Sequence, residues 1–486
     1  MHLMKFPLTG LVFVFSLTAL PAWSVTLESA ADALGVAKIK SLEFSATGHW
    51  FQFGQAPRPG LPWPRFNVSR YTADFNYETA TERVQITRKQ AIEPKRLRPT
   101  PVEQKVDQYV SGGKAWSLAP QVGAPQDSPL VATAQPLAVE ERNAEIWSTP
   151  QGFIKAALAN HATTKSGKDG ITVSFSVDEK FHYVGIINHK NQVERIKTWI
   201  DNPVLGDTLV ETEYANYKDF SGIAFPTYLL RKQGGHPVLE LAVSEVKQNS
   251  ASDIALPENV ASLPIPPVTV TSNKLAEGIY YLTGGTHHSV AIEQKDHVVV
   301  VEAPLNEDRS LAVIAKIKEI IPAKPIKYLV NTHVHFDHSG GLRTYVDEGT
   351  TIVTQRLNQP YYQKAWVTPH SINPDRLAKS KLTAHYDTFT GKKILSDGKR
   401  TIEIHEIAGN GHNDAFSLVY LPAEKILVEA DAFTPTAVNA PLPTSPNPYS
   451  VNLYQNIQKL NLQVEQIAPL HGRVVSLNDL RAAIGQ

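Results

Sequence analysis

The sequence predicts two unlike folded units in series: a mainly antiparallel β unit over residues 25–261 and an α/β layered unit over 270–486. Three observations carry this reading. Before residue 261, stretches that alternate apolar and polar residues follow one another closely, with helical spacing only near 27–38 and 138–160. Around 262–269 a proline-rich segment, Ser262-Leu263-Pro264-Ile265-Pro266-Pro267, reads as a semi-rigid linker. Beyond it, apolar runs of strand length alternate with helix-spaced stretches, the pattern of an α/β fold.

The first 24 residues stand apart. Met1 to Lys5 is a basic start, Leu8 to Leu20 is an apolar run, and the small residues Ala22 and Ser24 follow. This is the layout of a secretory signal cleaved after Ser24. The run is too short to span a bilayer comfortably, and no later segment has the roughly 20 apolar residues that a spanning helix needs. The expectation is a soluble mature chain, periplasmic or secreted, with no integral membrane segment once the signal is removed.

In the first unit, Leu42–Ala46, Tyr71–Tyr77 and Ile171–Val177 alternate with period two. Further strand candidates are 182–188, 193–199, 208–217, 226–232 and 238–246. Residues 119–136, rich in Pro, Ala and Gln, are expected to form an irregular loop. Trp50, Phe51, Phe53, Trp63, Phe66 and Trp116 either build an ordinary core, the preferred reading, or line a concavity for an apolar ligand. In the second unit, Tyr280–Leu282, Val298–Val301 and Lys327–Val330 read as strands. Residues 309–321 carry helical spacing through Leu311, Ile314, Ile317, Ile320 and Ile321.

Composition narrows the function. At about 150 residues per domain, 486 residues suggest two or three domains. Lys plus Arg and Asp plus Glu both number 47, so the chain has no net electrostatic attraction to nucleic acid, and a small-molecule substrate is the expected partner. There is no cysteine, which excludes disulfides, thiolate zinc sites, cysteine-held iron–sulfur clusters and a cysteine nucleophile. Any metal must be held by His, Asp or Glu.

Those residues cluster. Directly after Tyr328-Leu329-Val330 comes Asn331-Thr332-His333-Val334-His335-Phe336-Asp337-His338-Ser339-Gly340-Gly341. Imidazole nitrogen and carboxylate oxygen are good ligands for zinc and similar divalent ions. In extended chain His333 and His335 project to one side, because side chains alternate. Asp337 and His338 follow where the chain leaves the strand and can serve a second ion. Three more candidates each lie just past an apolar strand: His412 after Glu403–Ile407, Asp431 after Ile426–Ala430, and His471 after Ile467–Leu470. Strand ends are where α/β folds commonly build their sites.

The ordered set HxHxDH, His, Asp, His, with spacings of 74, 19 and 40 residues after His338, resembles the metallo-β-lactamase superfamily over about residues 270–486. The resemblance implies an αββα sandwich with a binuclear metal site at one edge. It implies His333, His335 and His412 at one ion, Asp337, His338 and His471 at the other, and Asp431 bridging them. It also implies a hydroxide between two divalent ions, zinc first with manganese or iron as alternatives, attacking an ester, lactone, amide or related bond. Asp337 would orient that hydroxide or take up a proton.

Departures within the family refine this. Asp431 stands where the β-lactamase classes usually carry Cys or Ser, so antibiotic hydrolysis is not the first expectation. His335 stands where the flavodiiron branch usually has Glu. Fifteen residues follow His471, without the glutathione-thioester domain of hydroxyacylglutathione hydrolases. A mononuclear iron dioxygenase of sulfur compounds is the alternative within this fold. An apolar-ligand carrier acting through the N-terminal sheet is the alternative outside enzymes. Glu302, in Val301-Glu302-Ala303-Pro304, either supports the site or is a surface turn. His287-His288 either borders the site or, the preferred reading, forms a plain turn. Residues 355–390, with Tyr361, Tyr362, Trp366, His370, Arg376, Tyr386 and Phe389, read equally as a flap over the metals or as an insertion packed by its own aromatics.

Overall fold

The structure, a computed structural model, describes residues 25–120, 128–250, 254–262, 267–441 and 444–486. The signal-like segment 1–24 and residues 263–266 of the proline-rich linker lie outside the described residues. Among the described residues no helix is long and apolar enough to cross a membrane.

The N-terminal domain is one antiparallel sheet of thirteen strands among the described residues. Its chain path is two meanders laid side by side. Six strands run in sequence from Ser41–Phe51 outward to Leu130–Ala134 at one edge. The chain then crosses to the opposite edge at Thr163–Gly167 and returns strand by strand to His236–Gln248, which pairs with Ser41–Phe51 in the middle.

Two helices, Val139–Ile146 and Pro150–Ala159, make the crossing and pack against the sheet. The second starts where sequence dictates: Thr149 caps it by accepting from the Gly152 N–H, and Pro150 occupies the first turn. Its buried face carries Phe153, Ile154, Ala156 and Ala157. The Phe153 ring fills the space over Gly185 that a Cβ would need, and lies 5.2 Å from the Phe175 ring.

The expected loop at 119–136 is corrected by the structure. Lys114–Pro120 and Leu130–Ala134 are paired strands, Trp116 opposite Ala134, and only 121–127 lie outside the described residues. Backbone pairing at the sheet edge satisfies the chain there despite a composition poor in β-formers. The aromatics of this domain divide. Trp116 and Phe66 are buried, Trp116 stacked on Tyr109 at 5.1 Å. Phe53 and Trp63 instead meet Phe336 of the other domain.

The C-terminal domain is a mixed α/β structure of two face-to-face sheets. Seven strands form the first, in the order Thr271–Ala276, Ile279–Thr283, Ser289–Glu293, Val298–Val301, Ile326–Val330, Thr351–Gln355 and Tyr386–Phe389, the last four mutually parallel. Six strands from Lys392–Ser396 to Val475–Ser476 form the second. Period-two alternation sorts the first sheet's side chains. Val299 and Val301 face the second sheet, with Ile404, Leu418 and Val428, while Val298 and Val300 face the helices with Ile314 and Ile317. Helix Glu307–Ile320 covers that outer face. Asn306 caps it, Glu307 and Asp308 lie in its first turn and Lys318 in its last, all as the helix dipole favours. On the far side Pro448–Lys459 and Leu477–Ala483 cover the second sheet.

Residues 355–390 are an insertion with a packed interior. They hold helices Asn358–Ala365 and Arg376–Ser380 and end in the sheet strand Tyr386–Phe389. Tyr362 stacks on Trp366 at 5.6 Å, and Trp366 on Tyr386 at 6.2 Å. The segment also docks on the N-terminal domain, where Asp207 accepts from the backbone N–H groups of Ser371 and Ile372. The aromatics that read equally as flap or as packing therefore pack.

Phe153→Ala is expected to lower unfolding free energy by about 3–5 kcal/mol, because a fully buried ring is lost and the gap over Gly185 cannot close. Urea unfolding followed by tryptophan fluorescence measures this.

Candidate metal centre

All seven residues singled out in the sequence lie at one edge of the two sheets. Four elements deliver them. Strand Ile326–Val330, buried between parallel neighbours, ends at Asn331 and carries the chain into His333, His335 and the one-turn helix Phe336–Ser339 with Asp337 and His338. The loop after Thr401–Glu406 holds His412, whose N–H donates to Asn410 Oδ1 at 2.9 Å. The turn after Ile426–Glu429 presents Asp431; the Glu429 carboxylate shapes it by accepting from the N–H groups of Ala432 and Phe433, both at 3.0 Å. His471 follows Gln466–Pro469.

The geometry forms three overlapping groups, each with its ligand atoms within 4.8 Å of one another: the ring nitrogens of His333, His335 and His412; those of His287, His338 and His471 with a carboxylate oxygen of Asp337; and those of His333 and His338 with a carboxylate oxygen of Glu302. Asp431 lies between the first two. Its Oδ2 is 2.9 Å from His338 Nε2, 3.4 Å from His333 Nε2 and 3.5 Å from His412 Nε2, while its Oδ1 is 3.2 Å from His471 Nε2.

Outer hydrogen bonds set which nitrogen of each ring faces inward. His333 Nδ1 meets Thr332 Oγ1 at 2.9 Å, and that hydroxyl in turn donates to Glu302. His338 Nδ1 lies 3.1 Å from Glu302 Oε2. His471 Nδ1 lies 3.2 Å from the Thr286 carbonyl, and His335 Nε2 lies 3.0 Å from the Ala56 carbonyl. Each of these partners accepts a proton, so a ring that is neutral keeps its lone pair on the inward nitrogen. Ring nitrogens face one another across the site: His471 Nε2 lies 2.9 Å from His338 Nε2, and His412 Nε2 lies 3.3 Å from His333 Nε2. His335 Nδ1 is buried with no hydrogen-bond partner. Imidazole nitrogens and carboxylate oxygens converging in this way call for positive charge among them, so this donor set fits divalent cations.

Electrostatics agree. Burial, reinforced by neighbouring rings, pushes His335 down to about 3 and His333 well below the ordinary histidine range, which keeps both neutral at physiological pH. Burial acts the same way on His338, but the carboxylates of Asp431, Asp337 and Glu302 override it and hold that ring well above the usual value. Burial would raise Asp337, yet His338 and the contact with His287 hold its carboxyl well below the usual range. Three carboxylates around one ring create a field that favours a cation.

Four supporting residues were weakly legible or hidden. Glu302 is fully buried at the end of Val298–Val301, in a left-handed backbone conformation (φ 76°) that is rare for a non-glycine residue. Its carboxylate accepts from Asn331 Nδ2 at 3.0 Å and the Thr332 N–H at 3.3 Å, besides the Thr332 hydroxyl and His338. It is a support of the site and not a surface turn. His287 is likewise no plain turn residue: its Nε2 lies 3.2 Å from Asp337 Oδ2 and its ring 4.3 Å from that of His471. The buried Arg309 guanidinium fixes that loop by donating to the carbonyls of Thr269, Gly284 and His287. Gln55, from the N-terminal domain, donates to Asp337 Oδ1 at 2.7 Å.

Residues 282–437 match the profile described as the Metallo-beta-lactamase superfamily. The C-terminal domain has the metallo-β-lactamase fold. Solved structures similar to the chain include a metallo-β-lactamase from Pontibacter korlensis, with 18% identity, 45% of this chain and 98% of that one covered, and a TM-score of 0.34. Another is FIM-1 from Pseudomonas aeruginosa in its mono-zinc form, with 18% identity, 45% and 96% coverage, and a TM-score of 0.32. Rubredoxin oxygen:oxidoreductase from the anaerobe Desulfovibrio gigas shares 17% identity over 44% of this chain and 60% of its own, with a TM-score of 0.35. No curated protein matches the chain. The metallo-β-lactamase fold supports a metal-dependent hydrolase or oxidoreductase, with the His, Asp and Glu groups described above as candidate ligands for divalent ions.

Glu302→Ala is expected to destabilise the metal-free protein by about 3–5 kcal/mol, since it strands buried donors on Asn331, Thr332 and His338. Urea unfolding in the presence of a chelator measures the loss.

Proposed function

We propose that this chain is an exported binuclear metallo-hydrolase acting on small molecules, with zinc the first choice of ion and manganese or iron the alternatives. The observation that supports it most is Asp431, a carboxylate with one oxygen within reach of both imidazole groups. In this reading His333, His335 and His412 hold one ion, Asp337, His338 and His471 hold the other, and Asp431 serves both. A set of nitrogen and carboxylate donors without thiolate suits zinc and is compatible with manganese and iron.

Bound cations would bring the pKa of a shared water toward 7 and polarise the oxygen of the bond under attack. The remaining work falls to the chain. Burial of His333, His335 and His338 excludes bulk water from the back of the site. Asp337 is the most exposed of the seven, its side chain 31% accessible, so solvent and substrate can reach it. Held ionised between Gln55 and His287, it can orient the attacking water. The targets in view are ester, lactone, amide and related bonds, because such a cage does not itself select the bond. Export to the periplasm or medium is supported by the basic start, apolar run and small residues of 1–24.

Elemental mass spectrometry on mature protein purified without added metal is expected to find about two zinc ions per chain, falling in His333→Ala and Asp431→Ala. One iron per chain would instead favour the dioxygenase chemistry, and no metal would overturn the proposal. On a panel of lactones, esters and β-lactams, a chelator is expected to abolish turnover. Asp431→Ala should lower kcat/KM by more than about 100-fold, since outer partners alone are worth 10–100-fold. Asp337→Asn that kept both metals and full turnover would remove the role given to Asp337.

A further inference from the structure

The metal domain does not complete its own ligand shell. The segment Gly54-Gln55-Ala56-Pro57, in the N-terminal domain's connection between Ser41–Phe51 and Arg65–Asn76, threads between the two loops that carry His335, Asp337 and His412. Its backbone pairs with both. The Phe336 N–H donates to the Gly54 carbonyl at 3.2 Å, and the Asp414 N–H to the Pro57 carbonyl at 2.9 Å. Gly54 has φ 79°, and a Cβ there would lie 2.8 Å from the Phe336 ring, so only glycine permits this approach. Phe336 is clasped by Phe53 and Trp63, edge to face, with ring centroids at 5.2 and 5.6 Å. The segment is therefore held in place by packing on both sides.

Two of its groups reach candidate ligands directly. The Gln55 amide donates to Asp337 Oδ1 at 2.7 Å. That bond turns the other oxygen, Oδ2, toward His287 and His338, at 3.2 and 3.7 Å. The Ala56 carbonyl accepts from His335 Nε2 at 3.0 Å and also from Asn413 Nδ2 at 3.0 Å. With its proton held on Nε2, the His335 ring presents Nδ1 as a lone pair, and that atom is buried and otherwise unpartnered. So one ligand of each ion group is oriented from outside the metal domain. In hydrogen-bonding terms, the centre is incomplete without the N-terminal sheet.

We propose that the N-terminal domain is a structural part of the metal centre, with Gln55 as a positioning residue that aims Asp337 and the Ala56 carbonyl as the acceptor that sets the tautomer of His335. This rests on the metal-centre reading above. It assigns the large sheet a task that needs no ligand of its own: carrying one rigid loop to the ions.

The test uses the full mature chain and zinc titration against a fluorescent chelator. Three variants are compared with the parent: Gln55→Ala, the isosteric Gln55→Glu, and the control Arg83→Ala, which breaks an Arg83–Asp107 pair within the sheet. The expected result is that the parent binds two equivalents. Both Gln55 variants should keep one tight equivalent and bind the second about 10- to 100-fold more weakly, the range for lost outer-shell partners. Gln55→Glu should be at least as impaired as Gln55→Ala, because its carboxylate opposes Asp337. Arg83→Ala should match the parent. Cobalt substitution gives a second readout, since a rotated Asp337 changes the visible absorption of the second equivalent only. Unchanged zinc affinity and cobalt spectra in both Gln55 variants would overturn this inference and leave the hydrolase reading intact. Loss in Gln55→Ala with full retention in Gln55→Glu would reduce Gln55 to a space-filler and also overturn it. A parent that binds no metal would remove the hydrolase reading and this inference together.

Discussion

Three carboxylates, Glu302, Asp337 and Asp431, converge on the buried ring of His338, and the arrangement is tenable only if positive charge lies among them. The local structure follows from that constraint. Glu302 reaches the ring from a strained backbone position, and the strain persists because Asn331, Thr332 and His338 all depend on its carboxylate. His333 and His335 are held neutral by burial and turned by outer partners so that their lone pairs point inward. A proton can balance only part of this set. Divalent cations would balance all of it and would use the inward nitrogens as well.

What the sequence made legible was the chemistry that is local in the chain. His333, His335, Asp337 and His338 fall within six residues, and His412, Asp431 and His471 each follow an apolar strand, so residue type and period sufficed to find them. What stayed hidden acts across distance. Gln55 is 282 residues from Asp337, and nothing about an isolated glutamine in a loop announces that contact. His287 read as a turn because its role depends on Arg309 drawing the loop inward, a clasp between residues with no shared pattern. Glu302 was ambiguous because a glutamate after a strand is usually solvated. Only its burial distinguishes it.

The same division applies to the fold. Strands with a clean apolar face, such as Ile171–Val177, were visible. Glu103–Ser111 and Leu130–Ala134 were not, since the one has few apolar residues to alternate and the other is largely exposed on both faces. Both exist because a neighbouring strand supplies backbone partners, an influence that lies outside any local window. The aromatics of 355–390 show a related limit. Tyr362, Trp366 and Tyr386 stack on one another, and from composition alone aromatics that pack an insertion look the same as aromatics that line a pocket.

The sheet of the N-terminal domain is stitched at its centre by its first and last strands, with the Lys40 N–H bonded to Asn249 Oδ1 across 209 residues. Contacts that span so much chain are slow to form, because loop closure must precede their reward. Each meander can zip locally, but the seam between them waits for the strand that ends at Gln248. During synthesis the seam therefore cannot close until about half of the polypeptide has been made. The loop bearing Gln55 leaves the first of the seam strands, so its final placement belongs to the end of that process.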